Sequence, residues 1–195
     1  MRQLYLGLAM VLTMLALGTG WSTPAVAANE THTPANAREQ LAASMLADIH
    51  QATWISEGKG PHVIYIIFDP NCPFCHKLYL NTRAWIKQGK VELRWIPVGI
   101  LATTSPGKAA ALLVAKDPLQ AFYYNEDHYH NGGGIEEDLA TPTIEKQLKA
   151  NAALLARTGF DGVPVMLFHA SDDTPYLIQG SPPPDKLAII LKNLK

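Results

Sequence analysis

The sequence predicts an α/β fold built on a strand-helix-strand unit, and three stretches predict it. His62-Val63-Ile64-Tyr65-Ile66-Ile67-Phe68 is a short continuous apolar run, rich in β-branched and aromatic residues, which suits a strand buried on both faces. Leu78, Tyr79, Leu80, Ala84, Trp85 and Ile86 then recur at helical spacing before a second strand-like run, Val91 to Val98. Near the far end, Gly162-Val163-Pro164-Val165-Met166-Leu167-Phe168 returns to strand composition behind a proline. A chain of 195 residues with 48% hydrophobic content supports one well-packed domain and is too short for two comfortable ones. Its net charge of -1 provides no broad basic surface, so nucleic acid is not an expected partner.

The first 27 residues read as a signal peptide. Arg2 gives a positive start, Leu4 through Leu17 is apolar, and Ala25-Val26-Ala27 has the small-residue pattern of a cleavage site. Gly18, Thr19, Gly20, Ser22, Thr23 and Pro24 interrupt the apolar run too early for a membrane span. Export to an oxidising compartment is therefore expected.

Residues 28–60 form an N-terminal segment and helix. Asn36 or Ala37 to about Trp54 reads as amphipathic, with Leu41, Met45 and Ile49 on one face and Arg38, Glu39 and Asp48 away from it. Gly58-Lys59-Gly60-Pro61 stops this helix and turns the chain into the first clear strand. The main domain spans 61–195. Its second helix runs to about Gln88, where Gly89 ends it, and the crossover to Val91–Val98 implies parallel pairing. From about 105 to 159 the pattern turns helical: Lys108 to Lys116, a short helix from Pro118, and Thr143 to Arg157. Between the last two lies Glu126-Asp127-His128-Tyr129-His130-Asn131-Gly132-Gly133-Gly134, read as a flexible solvated loop. His128 and His130 would hold a metal only in an extended segment, and no metal site is assigned. Glu136, Glu137 and Asp138 read as a solvated face. Asp172-Asp173-Thr174-Pro175 is a turn joining two hairpin strands, and a final helix carries Leu187, Ile189, Ile190, Leu191 and Leu194.

The chemistry sits at Phe68-Asp69-Pro70-Asn71-Cys72-Pro73-Phe74-Cys75-His76, which holds the only two cysteines. A thiol where a buried strand turns into a helix meets free backbone N–H groups and the positive end of the dipole. Both favour the thiolate, so Cys72 is the expected nucleophile. Pro73 fits the first helical turn, where its missing N–H costs nothing. Cys75 follows at i+3 on the same face, placed to resolve a mixed disulfide on Cys72. His76 is a polar residue of this helix that would tune the thiolate, and Phe74 would either face substrate or pack beside the proline loop. Trp85 and Trp95 have core patterns and a packing role.

The order of elements, with Cys72 and Cys75 as a redox pair, resembles the thioredoxin fold with a helical insertion between its second strand and its cis-proline strand. In detail, Trp54 through Gly58, Phe68 through Lys77, and Val91-Glu92-Leu93-Arg94 with Val98-Gly99 resemble the periplasmic thiol:disulfide interchange proteins DsbC and DsbG, nearer to DsbG. That resemblance implies Pro164 as a cis-proline facing the cysteines, with Val163, Pro73 and Phe74 lining a groove where an extended substrate adds as a strand. It also implies a disulfide reductase or isomerase acting on cysteine-containing periplasmic proteins, kept reduced by a DsbD-like membrane reductase, with no cofactor. Three departures matter. The segment 28–60 is shorter than the dimerisation domain of that family needs, so a monomer or weak dimer is expected. Val163 stands where those proteins carry threonine. Ile66 occupies the strand position at which thioredoxins bury an aspartate.

Two other readings stay open. A monomer of this fold with Val163 before the proline would suit a DsbA-like oxidase, recycled by a DsbB-like partner. A binding or chaperone module would hold Cys72 and Cys75 as an inert structural disulfide, a state that fits a buried pair away from a helix start. Zinc on Cys72, Cys75 and His76 lacks a fourth ligand at any usual spacing.

Overall fold

A computed structural model describes residues 36–195. The expected signal peptide lies outside the described residues, as do most of the residues between it and the first helix. The elements run α1 (Ala37–Ala47), β1 (Ile55–Gly58), β2 (His62–Phe68), α2 (Pro73–Lys87), β3 (Val91–Pro97), α3 (Ser105–Val114), α4 (Pro118–Asp127), α5 (Pro142–Arg157), β4 (Val165–His169), β5 (Pro175–Gln179) and α6 (Pro184–Lys192). Five strands form one mixed sheet in the order β1-β3-β2-β4-β5. β2 and β3 pair in parallel, as the crossover through α2 requires, and the remaining pairs are antiparallel.

The first helix is shorter than its pattern suggests. It ends at Ala47, a 3-10 turn follows over Ile49–Gln51, and the residues read as its last turns lead into the edge strand β1. The cause is tertiary. Asn151 of α5 accepts from the Thr53 N–H at 2.9 Å and donates to both the Thr53 and Pro97 carbonyls at 2.9 Å, which fixes Thr53 extended beside the end of β3. No local propensity in 48–54 reports that contact. The inward stripe of α1 also differs: Glu39, Ala42 and Met45 are buried, whereas Leu41 is only half-buried. Glu39 thus faces inward rather than away.

The far end of β2 is closed on both faces, with Ile64, Ile66, Ile67 and Phe68 all fully buried. Phe122 of α4 packs over this end, edge-on to Phe68 at 5.3 Å and against Trp95 at 4.8 Å between ring centroids. That contact fixes the rotation of α4, so Glu126, one turn later, also faces inward. α2 leaves the sheet from the same end and stops at Gly89, whose φ of 62° is the left-handed value that favours glycine. Among the described residues, no helix is long and apolar enough to cross a membrane.

Candidate active site

The cysteines sit at the carboxyl end of β2, and the turn that carries them is pinned from below by Asp69. Its buried carboxylate accepts from the Asn71 N–H at 2.9 Å, the Ser105 hydroxyl at 2.8 Å, and the Ile100 and Leu101 N–H groups at 2.7 and 3.0 Å. Four donors on one carboxylate tie the cysteine turn to the loop before α3. Asn71 extends the tie through its amide, which donates to Thr104 and Ser105 at 3.0 Å.

Cys72 is the N-cap of α2. Its sulfur accepts the Cys75 backbone N–H at 3.2 Å, so the thiol group does for this helix what a serine or aspartate oxygen does for others. Hydrogen bonding from Cys75 and the N–H groups of Phe74 and Cys75 outweighs burial and lowers the Cys72 pKa from its ordinary value. Cys75 lies deeper, and burial together with the neighbouring Cys72 sulfur raises its pKa well above the ordinary thiol value. Both are free thiols. One helical turn therefore separates a sulfur that ionises readily from one that does not.

Opposite the pair, the Val163–Pro164 peptide bond is cis, and the Cys72 thiol donates to the Val163 carbonyl at 3.4 Å. Val163 and Pro164 are buried beneath the sulfurs, whereas Pro73 and Phe74 stand at the surface, Phe74 with 61% of its area exposed. An open groove of about 780 Å³ runs from Asn71 and Pro73 past Leu101 and Lys108 to Tyr124 and His128.

The third wall comes from the segment read as a flexible loop. Its Gly133 N–H donates to the Pro70 carbonyl at 3.0 Å, and a Cβ at that position would come within 2.3 Å of the same carbonyl and 1.9 Å of the Asn125 side chain. Tyr129 donates its hydroxyl to the Asn71 carbonyl at 3.0 Å and lays its ring on His76, 4.4 Å between centroids and 7° from parallel. His128 stacks on Tyr124 and pairs its Nδ1 with the Tyr124 carbonyl at 3.0 Å. The segment is thus a packed flank of the cysteine turn. Among the described residues, no group of three or more His, Cys, Asp or Glu side chains is placed to hold a metal ion.

His76 points into this flank. Its Nδ1 lies 3.0 Å from Oε2 of Glu126, a carboxyl only 2% exposed, while Asn125 donates to Oε1 at 3.0 Å. Burial, the dominant cause, pushes the Glu126 pKa up to about 8. Glu126, Asn125 and Tyr129 escaped sequence reasoning because they lie in a polar run that looks solvated. Their only local signal is the position of Glu126 one turn after the apolar Phe122.

The family model described as a thioredoxin-like domain matches residues 49–195. The chain belongs to that family. Among curated proteins, this thioredoxin-like chain is similar to the thiol:disulfide interchange protein DsbG of Pseudomonas aeruginosa, with 37% identity over 77% of this chain and 60% of the relative. It is also similar to DsbG of Escherichia coli, with 29% identity over 74% of this chain and 59% of the relative. The chain therefore spans about 60% of the length of the curated relatives it matches. Among solved structures, the catalytic domain of Proteus mirabilis ScsC shares the fold, with a TM-score of 0.62, 20% identity, and coverage of 79% of this chain and 96% of that one.

Proposed function

We propose that this chain is an exported thiol:disulfide oxidoreductase of the DsbG kind, acting on cysteine-containing proteins in the periplasm through Cys72 and Cys75. The observation that carries the reading is the asymmetry of the two sulfurs across one helical turn, Cys72 capping α2 with a lowered pKa and Cys75 buried behind it with a raised one.

In the reduced form the Cys72 thiolate attacks one sulfur of a substrate disulfide. A Cys72–substrate disulfide forms, and the other substrate sulfur leaves as a thiolate. Cys75 then attacks Cys72, closes the Cys72–Cys75 disulfide and expels the substrate thiolate. If a substrate cysteine attacks first, its own disulfide is rearranged instead. Pro73 and Phe74 on one side and Val163 and Pro164 on the other form the groove for an extended substrate segment, and His76 tunes the thiolate through its contact with Glu126. A membrane reductase of the DsbD kind would return the oxidised pair to the dithiol.

The deciding experiment traps the pair in living cells by acid quench, followed by thiol alkylation and a gel shift. A mostly reduced pair is expected, and a mostly oxidised one would instead favour DsbA-like oxidation served by a DsbB-like partner. In vitro, alkylation of Cys72 against pH should give an apparent pKa below the free-cysteine value of about 8.5. A value at or above it would remove the nucleophile and leave an inert structural pair. Light scattering on the mature chain checks the expected monomer or weak dimer.

A further inference from the structure

Among the described residues, three lysine or arginine side chains are half-buried: Arg83, Arg94 and Lys108. Arg83 is paired with Glu57 and Arg94 with Glu92, whereas no carboxylate of the described residues lies within ion-pair distance of Lys108. Two neutral oxygens hold its Nζ instead, Asn71 Oδ1 at 3.1 Å and the Gly133 carbonyl at 2.5 Å. An ammonium has three N–H donors, so one has no partner among the described residues. Neutral acceptors satisfy hydrogen bonds but leave the charge uncompensated, which costs free energy in a half-buried place.

The position of this charge is close to the chemistry. Lys108 lines the open groove of about 780 Å³, and Asn71, which binds its Nζ, directly precedes Cys72. The nearby acids are either engaged or distant. Asp69, beneath the turn, already accepts four donors. Glu137 lies against the first turn of α3, its Oε2 2.5 Å from where a Cβ on Gly107 would stand. Glu136 lines the groove at its exposed rim, beyond ion-pair distance of Lys108. His128 and His130 line the same space and bring no negative charge, while Leu101 and Tyr124, both exposed, give it apolar walls.

Resting on the redox reading above, we propose that Lys108 is a specificity residue, binding a carboxylate that the substrate polypeptide carries within two residues of the cysteine attacked by Cys72. An extended segment advances about 3.3 Å per residue, so an aspartate or glutamate one or two places from the reacting cysteine passes Asn71 and reaches the free N–H of Lys108. The expected preference runs against simple chemistry. A thiolate approaches a disulfide flanked by carboxylates slowly, because like charges repel. With Lys108 beside Cys72, disulfides with acidic neighbours are opened faster rather than slower.

The test mixes the reduced mature chain with three short disulfide-linked peptides that differ only in the residue after the cysteine: aspartate, asparagine or lysine. Release of peptide thiol is timed at neutral pH and low salt. The unaltered protein should open the aspartate peptide about fivefold faster than the asparagine peptide, and the advantage should shrink at about 1 M salt. In Lys108→Gln the asparagine peptide should overtake the aspartate one, in Lys108→Glu the lysine peptide should become the fastest, and Lys108→Arg should keep the aspartate preference. Losing the tie between Gly133 and Asn71 slows all three peptides alike, so the order of rates within each variant is the readout. The same order in the unaltered protein and in Lys108→Gln would mark a merely structural lysine and overturn the proposal, as would an unaltered protein that opens all three peptides without preferring aspartate. If the unaltered protein opens none of them, the redox reading fails first and this inference with it.

Discussion

Two buried glutamates flank α2, and their partners set them apart. Glu57 of β1 is fully buried and receives both terminal nitrogens of Arg83 together with the Trp95 indole N–H at 2.9 Å. Glu126 of α4 is nearly as buried, but its partners are the neutral Asn125 amide and an imidazole. Both contacts are made from one face of α2, where His76 and Arg83 stand two turns apart with Tyr79 between them, the Arg83 guanidinium lying over the Tyr79 ring at 3.7 Å. Burial alone therefore does not decide what a carboxyl does here. A guanidinium with matched geometry neutralises the first site and makes it part of the scaffold, whereas the second has no cation paired to it and is pushed by burial toward its neutral form.

The comparison breaks most readily at Arg83. Arg83→Met leaves the Glu57 carboxylate buried without its cation and should cost about 3–5 kcal/mol in urea unfolding, with most of that recovered when Glu57→Leu is added. A loss below about 1 kcal/mol for the single change would mean that Glu57 is not a fixed buried charge. The second expectation concerns pH. Glu126 titrates near 8 in the folded chain against an ordinary 4.5, so between those values the folded state binds more protons than the unfolded state. Stability from this group is therefore lost as pH rises through that window, by about 3–4 kcal/mol between pH 5 and pH 8, and Glu126→Gln should flatten the slope of urea midpoint against pH. An equal slope in both proteins would remove the distinction between the two glutamates. The smallest effect is expected at the flank: Tyr129→Phe keeps the stack on His76 and loses only the hydroxyl bond to the Asn71 carbonyl, about 1 kcal/mol by thermal or urea unfolding.

These regions also differ in how far the sequence reveals them. β2, α2 and β3 were legible because each is written in local periodicity, and the crossover that joins β2 to β3 leaves parallel pairing as its outcome. Cys72, Pro73 and Cys75 followed from the same local grammar, since a helix N-terminus and an i+3 spacing are both short-range. β1 was not legible. Four residues, Ile55-Ser56-Glu57-Gly58, form an edge strand where the sequence pattern reads as the end of a helix, and what holds the chain extended before it is the Asn151 amide on Thr53, about a hundred residues away. The inward turn of Glu39 went unseen for a similar reason, because a glutamate on an amphipathic pattern is ordinarily assigned to the wet face. The segment from Glu126 to Gly134 was the largest departure: its histidines, glycines and acids read as a solvated loop, yet Gly133 and Tyr129 dock it on the backbone of Pro70 and Asn71.

By itself, the sequence determined the α/β class and the place of the cysteines where a strand becomes a helix, and with that place the lowered pKa of Cys72, because backbone N–H groups at a helix start favour a thiolate. Only the tertiary structure decided what surrounds them. Phe122 packing on Phe68 and Trp95 turned Glu126 inward, the stack of Tyr129 on His76 closed over it, and Val163 met Cys72 across the sheet. Those contacts join residues tens of positions apart, and the desolvation that raises the Glu126 pKa exists only once all of them are made.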